Sequence, residues 1–260
     1  MSSWSLTALR YGSRMTTRAD VFLRYAEYHE PDGPQEMTYY LWVLRSDTQT
    51  IVVDTGYSAA GGGRRGREFL VEPLEALRRA GVDPGGVDGV VATHLHYDHT
   101  GHLDAFGETP VLVPRTELEF WSGPLAGRTQ LGAHIEPPEV AALAERARSG
   151  SVTLMEPEHE VAPGVRSVEV GGHSPGQTIL LIDGVNGPIV LASDAVHFYE
   201  ELERDRACAV LVDLARVYRA YDAIREHVER GARFVAGHDP LVMDRFPRLE
   251  SDPELGVIVA

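Results

Sequence analysis

The sequence predicts an α/β (α+β) fold in which two packed β-sheets are covered by helices. Short apolar runs typical of strands occur in both halves of the 260-residue chain, and segments with apolar residues at helical spacing lie between them. Because strands dominate both halves, we favour two packed sheets over one doubly wound sheet. A chain of this length forms one large domain or two small ones.

The first half of the chain supplies strands that are bounded by turn-forming residues. We predict strands at residues 39–44, 50–54, 89–93 and 110–113. Apolar residues at helical spacing predict helices over residues 68–80 and 115–121. Residues 56–67 are rich in glycine and arginine and have few apolar anchors, so we predict a mobile loop there.

The second half repeats this mixture of strands and helices. We predict strands at residues 152–155, 165–170, 178–182, 189–192 and 234–236. Residues 140–148 have helical spacing, and residues 213–230 form a strongly amphipathic pattern that predicts a long helix. Residues 125–138 show neither period, and we expect them to be irregular.

Charge and cysteine usage exclude several classes of function. The formal net charge is −15, so the surface repels phosphate backbones, and we expect neither a nucleic-acid partner nor an anionic membrane partner. Cys208 is the only cysteine, which excludes an intrachain disulfide and favours a reducing cytoplasm. No signal peptide and no apolar run of membrane-spanning length is expected. We expect Cys208 itself to be a packing residue.

The most informative segment is His94-Leu95-His96-Tyr97-Asp98-His99. Four side chains that can bind a metal ion lie within six residues, in the pattern H-x-H-x-D-H. Imidazole and carboxylate groups together suit zinc and similar divalent ions. A single helix could not direct all four groups to one point, whereas the end of a strand running into a loop could. The segment therefore indicates the core of a metal site.

Three later residues share one local context. His173, Asp194 and His238 each follow a strand-like run and lie beside glycine, serine or proline. Taken singly, each would more often be a turn, cap or loop residue. Together with the first motif they predict a two-metal hydrolytic site, because polar groups at strand ends can meet at one edge of a pair of packed sheets.

On these residues the chain resembles the hydrolases of the metallo-β-lactamase superfamily, from about residue 39 to residue 247. The resemblance implies an αβ/βα sandwich of two mixed sheets with helices on the outer faces. It implies that one metal is held by His94, His96 and His173, that the other is held by Asp98, His99 and His238, and that Asp194 bridges them. It also implies that Asp54 orients a metal ligand. We expect one domain over residues 1–260, with residues 1–38 as a lid or an edge segment.

Within that superfamily, the chain most resembles the N-acyl-homoserine lactonases. The resemblance rests on Thr100-Gly101 after the motif, on His173-Ser174-Pro175-Gly176, and on Gly237-His238-Asp239. Those lactonases commonly carry a tyrosine three residues after the bridging aspartate, where it contacts the substrate carbonyl. Here that position is His197, so either His197 takes the role or Tyr199 reaches in instead.

The resemblance implies hydrolysis of a small-molecule lactone. Two metal ions about 3.5–4 Å apart lower the pKa of a water molecule between them, and that water is expected to attack the lactone carbonyl. We expect Asp98 to carry the proton to the leaving oxygen. We expect zinc, with manganese, iron and cobalt as alternatives, and the sequence leaves a homodimer open.

Alternative functions change the substrate or the chemistry. Another lactone, such as 4-pyridoxolactone, or a thioester would use the same metals. A redox iron enzyme of the same fold is a further alternative, although His96 stands where diiron reductases of the superfamily usually carry glutamate. A nuclease is disfavoured by the net charge of −15.

Overall fold

A computed structural model describes residues 3–260, so the predictions for Met1 and Ser2 lie outside the described residues. Within residues 3–260 the chain forms thirteen strands, numbered here in chain order: β1 (Ser5–Thr17), β2 (Pro34–Arg45), β3 (Thr50–Val53), β4 (Glu68–Phe69), β5 (Gly89–Val91), β6 (Val111–Pro114), β7 (Val152–Met155), β8 (Glu158–Ala162), β9 (Val165–Glu169), β10 (Thr178–Gly184), β11 (Gly187–Leu191), β12 (Arg233–Val235) and β13 (Gly256–Ile258).

The strands form two mixed sheets. The larger sheet has the order β13-β1-β2-β3-β5-β6-β7, and the short strand β4 pairs with β1. Its neighbours are antiparallel from β13 to β3 and parallel from β3 to β7. The smaller sheet has the order β12-β11-β10-β9-β8, in which only β11 and β12 are parallel.

Helices and 3₁₀ turns connect the strands. The α-helices of residues 3–260 are α1 (Arg18–Val21), α2 (Ala59–Arg64), α3 (Pro73–Arg79), α4 (Tyr97–Thr100), α5 (Arg115–Trp121), α6 (Thr129–Gly132), α7 (Pro137–Arg148), α8 (Tyr199–Arg204), α9 (Leu214–Glu229) and α10 (Val242–Arg245). The 3₁₀ helices span Tyr25–Tyr28, Pro84–Gly86, Leu103–Phe106, Pro124–Gly127 and Ser193–Ala195. Asp213 caps α9 by accepting a hydrogen bond from the main-chain N–H of Arg216.

Alternation along β2 shows how the layers pack. Trp42 and Leu44 point into an apolar cluster shared by the two sheets. Leu41 and Val43 point the other way, into a cluster that the large sheet shares with the helices on its outer face. On the far side of the small sheet, Tyr221 of α9 belongs to a third cluster. The predicted αβ/βα sandwich, with helices outside two mixed sheets, is therefore confirmed.

Within the N-terminal segment, residues 5–17 form a strand of the large sheet, whereas residues 18–33 include α1 and a 3₁₀ helix. Strand β1 pairs with β2 along its length, and β13 pairs on its other side, so β1 is second from the edge. The pattern of apolar residues did not predict this strand, because Arg10, Gly12 and Ser13 interrupt the alternation. The register of β1 with β2 also shifts between Arg10 and Gly12. Strands β8 and β13 were also not predicted, since they are short and lie at sheet edges.

Two predicted segments have a different structure. Residues 56–67, predicted to be a loop, contain α2, whose first turn is capped by Ser58 and whose end is tied down by ion pairs from Arg64 and Arg65 to Glu136. The helix predicted over residues 68–80 is confined to α3. The chain before Pro73 is extended instead, because β4 pairs with β1 there.

The longest helix among the described residues, α9, has 16 residues. No helix between residues 3 and 260 combines the length and apolar character that crossing a membrane requires.

Leu6 offers a test of whether β1 is part of the core. Its side chain is fully buried between the sheets, so Leu6→Ala is expected to lower the free energy of unfolding by about 2–5 kcal/mol in urea titrations. Leu125 is 45% exposed, and Leu125→Ala is the matched control. We expect this variant to change the free energy of unfolding by less than about 0.5 kcal/mol. Equal urea midpoints for both variants would contradict this packing.

Candidate metal centre

Strand β5 delivers the first motif to the edge of the large sheet. After β5 the side chains alternate, so His94 and His96 point into the site while Leu95 packs in the helix-side core. Helix α4 then begins and places Asp98 and His99 beside them. All four motif side chains are buried, and the structure brings them to one place.

The later candidates come from the small sheet. His173 follows β9, Asp194 lies in the 3₁₀ turn after β11, and His238 follows β12. Strands β9, β11 and β12 run in the same direction, because β9 and β11 are both antiparallel to β10 and β12 is parallel to β11. Their carboxyl ends therefore share one edge, where the three side chains meet the motif.

Asp194 lies between two groups of potential ligands. The ligand atoms of His94, His96 and His173 lie within 4.8 Å of one another, as do those of Asp98, His99, Asp194 and His238. Asp194 Oδ2 is 3.4 Å from His173 Nε2, and Asp194 Oδ1 is 3.3 Å from His99 Nε2. The structure thus brings all seven predicted ligands together, with Asp194 in the central position.

Several of these atoms are buried without a hydrogen-bond partner. Among residues 3–260 this is true of His94 Nε2, His99 Nε2 and Asp194 Oδ1. Leaving buried polar atoms unsatisfied is costly, and such atoms in native proteins call for an explanation. Nitrogen and carboxylate donors that converge in this way fit divalent metal ions.

The electrostatics of the cluster favour cation binding. Burial lowers the pKa of His94, His96 and His173 well below the usual range, so these imidazoles stay neutral, the form that binds metals. Burial opposes ionisation of Asp194, but the imidazoles of His238 and other neighbours hold the pKa of this carboxyl well below its usual range. Little proton competition is therefore expected at these donors.

Asp54, predicted to orient a ligand, lies directly behind His99. Its Oδ2 atom is 2.8 Å from His99 Nδ1, and its carboxylate also accepts hydrogen bonds from the main-chain N–H and the hydroxyl of Thr93. Asp54 is fully buried and has a φ of 59°, a left-handed conformation that aspartate tolerates better than most residues. This contact directs Nε2 of His99 toward the cluster.

Main-chain carbonyls anchor two more ligand imidazoles. His173 Nδ1 lies 2.8 Å from the carbonyl oxygen of Val210, and His238 Nδ1 lies 2.8 Å from that of Thr38. A carbonyl can only accept, so each Nδ1 carries the proton and donates it. The Nε2 atoms of both rings are then left with a free lone pair facing the cluster.

Gly237 permits the close approach of two ligand loops. A Cβ atom at this position would lie 2.5 Å from the carbonyl oxygen of Ser193 and 3.0 Å from Asp194 Oδ1. Ser193 itself has a φ of 46°, so the loop that carries Asp194 is strained at this point. Only glycine lets His238 follow its strand so close to Asp194.

Glu117, which patterning did not single out, joins the two loops that carry the histidines. From helix α5, its fully buried carboxylate accepts hydrogen bonds from Leu95 N (3.0 Å) and Trp121 Nε1 (2.7 Å). It also accepts hydrogen bonds from Ser174 Oγ (2.5 Å) and Gly176 N (2.6 Å). Burial raises the pKa of Glu117, while these four donors favour its charged form. One side chain thus fixes both loops relative to each other.

The two candidates for the substrate-contacting role have different positions. His197 Nε2 lies 3.3 Å from Asp194 Oδ2, and the ring faces the cavity over the cluster. Tyr199, in contrast, begins α8, which turns its ring into the core between the sheets. There the Arg245 guanidinium lies 3.6 Å from the ring centroid. The structure therefore brings His197 to the site and does not bring Tyr199.

A buried carboxylate, Glu201, lies behind His197 and was also missed. Its Oε1 atom accepts hydrogen bonds from the main-chain N–H groups of His197 and Phe198 and lies 3.3 Å from His197 Nδ1. Its Oε2 atom accepts a hydrogen bond from the Tyr221 hydroxyl. Cys208, expected only to pack, lies beside His197 and Glu201 and lines the cavity.

The cavity above the cluster has a volume of about 100 Å³. Besides the candidate ligands, its walls include residues that were not predicted to belong to the site: Arg14, Met37, Tyr39, Arg67, His134 and Val210. A larger depression of about 730 Å³ lies around Arg245 and Val259, but no histidine, cysteine or acidic side chain lines it. Another of about 340 Å³ is lined by Glu160, Asp183 and His227, but it contains none of the candidate ligands. The small cavity is therefore the candidate reaction site.

Glu117 provides a prediction for this centre. Glu117→Gln replaces one acceptor oxygen by an amide N–H₂ that faces donors, so we expect about 2 kcal/mol less stability in urea unfolding and weaker zinc binding in competition with a chelator. Glu119 lies on the same helix but is exposed, and Glu119→Gln is expected to match the wild type in both measurements. If Glu117→Gln bound zinc with wild-type affinity, the proposed role of Glu117 in holding the two histidine loops together would be contradicted.

The chain is similar to known proteins in sequence and in fold. Curated relatives include an N-acyl homoserine lactonase from Bacillus cereus, 30% identical over 188 residues, which are 66% of this chain and 70% of the relative. The chain spans about two thirds of the length of the curated relatives it matches. An N-acyl homoserine lactone hydrolase with the product N-hexanoyl-L-homoserine at its catalytic metal centre superimposes with a TM-score of 0.76 and 22% identity, covering 98% of this chain and 100% of that one.

The dizinc quorum-quenching lactonase AidC also has this fold, with a TM-score of 0.70, 17% identity and coverage of 92% of this chain and 91% of that one. Residues 36–251 match the Metallo-beta-lactamase superfamily. Since this match covers more than half of the chain and includes every candidate ligand, the chain belongs to the metallo-β-lactamase superfamily.

Proposed function

We propose that this protein is a dinuclear metal-dependent hydrolase that opens a lactone ring, with an N-acyl-homoserine lactone as its substrate. The observation that carries the proposal is the pair of adjoining donor groups at a cavity, with Asp194 of one group close to His173 of the other. The activity of the matched lactonases supports the choice of substrate.

The donor set divides naturally between two ions. We assign one ion to His94, His96 and His173 and the other to Asp98, His99 and His238, with Asp194 shared between them. When bound, the two ions would polarise the lactone carbonyl and make an attacking water more acidic. The protein holds the donors in place before binding, because Asp54, Thr38 and Val210 fix three of the imidazoles from behind.

Two residues that face the cavity are assigned direct roles. Asp98 forms no side-chain hydrogen bond among the described residues, and its Oδ2 atom is 3.7 Å from His238 Nε2. We assign it the transfer of a proton to the leaving alkoxide. His197 directs Nε2 to the cavity side, where its N–H can donate to the carbonyl oxygen as negative charge develops.

Zinc is the metal that we propose. Neutral imidazoles and carboxylates in buried, closely spaced groups suit zinc well, although manganese, iron and cobalt accept the same donors. The dizinc centre of the similarly folded lactonase AidC supports this choice.

We propose that the protein works in the cytoplasm and that the chain acts as one domain. The proposed location rests on Cys208, a free and buried thiol in a chain with no second cysteine. The single-domain proposal rests on the contribution of residues from β1 to β13 to one core between the sheets.

A compact lactone, such as 4-pyridoxolactone, is the second candidate substrate. A cavity of about 100 Å³ is small beside the range of roughly 300–1,000 Å³ usual for ligand sites. A fused-ring lactone needs less space than a long acyl chain, so the cavity volume favours this candidate.

Metal analysis combined with a lactone-hydrolysis panel tests the proposed function. We expect two zinc ions per chain and ring opening of at least one acyl-homoserine lactone or compact lactone. Asp194→Ala removes the shared carboxylate, so we expect a loss of metal and at least about a 1,000-fold fall in kcat/KM. Two bound metals without hydrolysis of any lactone would refute the reaction, and full activity in the metal-free protein would refute the metal dependence.

His197 and Tyr199 form a matched pair for assigning the carbonyl contact. His197→Phe is expected to lower kcat about 100-fold with metal content retained, because a preorganised donor is lost. Tyr199→Phe is expected to leave kcat within about twofold, since the Tyr199 hydroxyl is buried in the core without a hydrogen-bond partner among the described residues. A large fall in kcat for Tyr199→Phe, with little change for His197→Phe, would instead assign the carbonyl contact to Tyr199.

A further inference from the structure

Strand pairing places two arginines opposite each other at the cavity. In the antiparallel pairing of β1 with β4, Gly12 lies opposite Phe69 and Ser13 lies opposite Glu68. The next residue along each segment is an arginine, Arg14 on β1 and Arg67 before β4. Like charges that face each other across strands are destabilising, so this arrangement needs a compensating interaction.

No acidic side chain among residues 3–260 forms an ion pair with Arg14 or Arg67. Arg67 donates one hydrogen bond, to the main-chain oxygen of Arg65 at 2.6 Å, and Arg14 donates none within the described part of the chain. The Nε atoms of both arginines are buried without a partner. Arg65, by contrast, is neutralised by Glu136. Both guanidinium groups therefore retain at least one donor without an acceptor in the described structure, while the Tyr39 and Tyr97 hydroxyls lie near Arg67.

Both arginines lie at the candidate reaction site. Arg14 and Arg67 line the same cavity as Asp98, Asp194 and His197. A positive cavity wall stands out in a protein with a formal net charge of −15, whose surface as a whole repels anions.

We propose that Arg14 and Arg67 bind an anionic group of the substrate, a carboxylate or a phosphate, beside the ester bond that is cleaved. Both anions accept paired hydrogen bonds from guanidinium groups, and one anion between the two arginines would remove the repulsion between them. The inference rests on the proposed function and narrows its substrate class to lactones or esters that carry a negative charge.

A set of matched substrates tests the inference on the zinc-loaded full-length protein. It consists of N-hexanoyl-homoserine lactone, an analogue whose acyl chain ends in a carboxylate, the methyl ester of that carboxylate, and an analogue that ends in a phosphate. The readout is the selectivity, defined as kcat/KM for a charged lactone divided by kcat/KM for its neutral partner. We expect at least about tenfold selectivity for one of the anions, and the larger value identifies which anion the site takes.

The effects of salt and of arginine substitutions on the selectivity test whether Arg14 and Arg67 bind the anion. Raising sodium chloride from about 0.05 to 0.5 M should lower the selectivity of the wild-type protein several-fold, a test that needs no variant. Arg14→Gln and Arg67→Gln should each lower it about tenfold, whereas Arg14→Lys, which keeps the charge, should lower it less. Arg128 is exposed and lies outside the cavity wall, so Arg128→Gln, the matched control, should leave the selectivity unchanged.

The outcomes separate this inference from the proposed function. Hydrolysis of charged and neutral lactones with equal kcat/KM would overturn the inference and leave the lactonase function standing. Selectivity that persists in both glutamine variants would also overturn it, because another group would then bind the anion. Hydrolysis of no lactone in the set or the wider panel would overturn the proposed function, and with it the inference.

Discussion

The centre depends on one buried carboxylate surrounded by imidazoles. Asp194 lies within 4.0 Å of four histidines that come from three separate segments, which follow β5, β9 and β12, and it is itself almost fully buried. An isolated carboxylate at this depth would be strongly destabilised by the loss of hydration. Cations bound jointly by this carboxylate and by the lone pairs of the neighbouring imidazoles would compensate for that loss. Packing, strain and charge in the surrounding loops are therefore consistent with metal binding as part of the folded state.

A second layer of buried polar groups makes that arrangement rigid. Asp54 holds His99, and Glu117 holds the two histidine loops together through four hydrogen bonds. Both are fully buried acids, so each is stable there only because donors from neighbouring strands and loops converge on it. The two packed sheets fix the positions of these hydrogen-bond donors, because the donors lie at or just beyond the ends of strands.

The sequence predicted the parts of the site that are local. Four donors within residues 94–99 carry information about chemistry without any knowledge of the fold, and three more follow strand ends beside small residues. The parts that were missed depend on pairing between distant segments. Arg14 and Arg67 become neighbours only through the pairing of β1 with β4, and Glu117 gains its role only when the loop after β9 folds over α5. Periodicity records which face of a strand is apolar, but it does not record which strand lies beside it.

The position of His197 at the cavity also depends on contacts that its immediate sequence does not show. Its immediate sequence does not separate it from Tyr199, since both follow Asp194 within a few residues. The difference arises from α8, which turns Tyr199 into the core and places Glu201 beside the His197 ring. With Glu201 3.3 Å from Nδ1, a proton on that nitrogen is stabilised, and a protonated ring can also donate from Nε2 toward the cavity. The Nε2–H group of His197 can therefore donate a hydrogen bond to the substrate carbonyl, as a hydroxyl group would. The strength of this hydrogen bond depends on the charge of Glu201. The charge on the His197 ring therefore depends in part on Glu201, a residue that does not line the cavity.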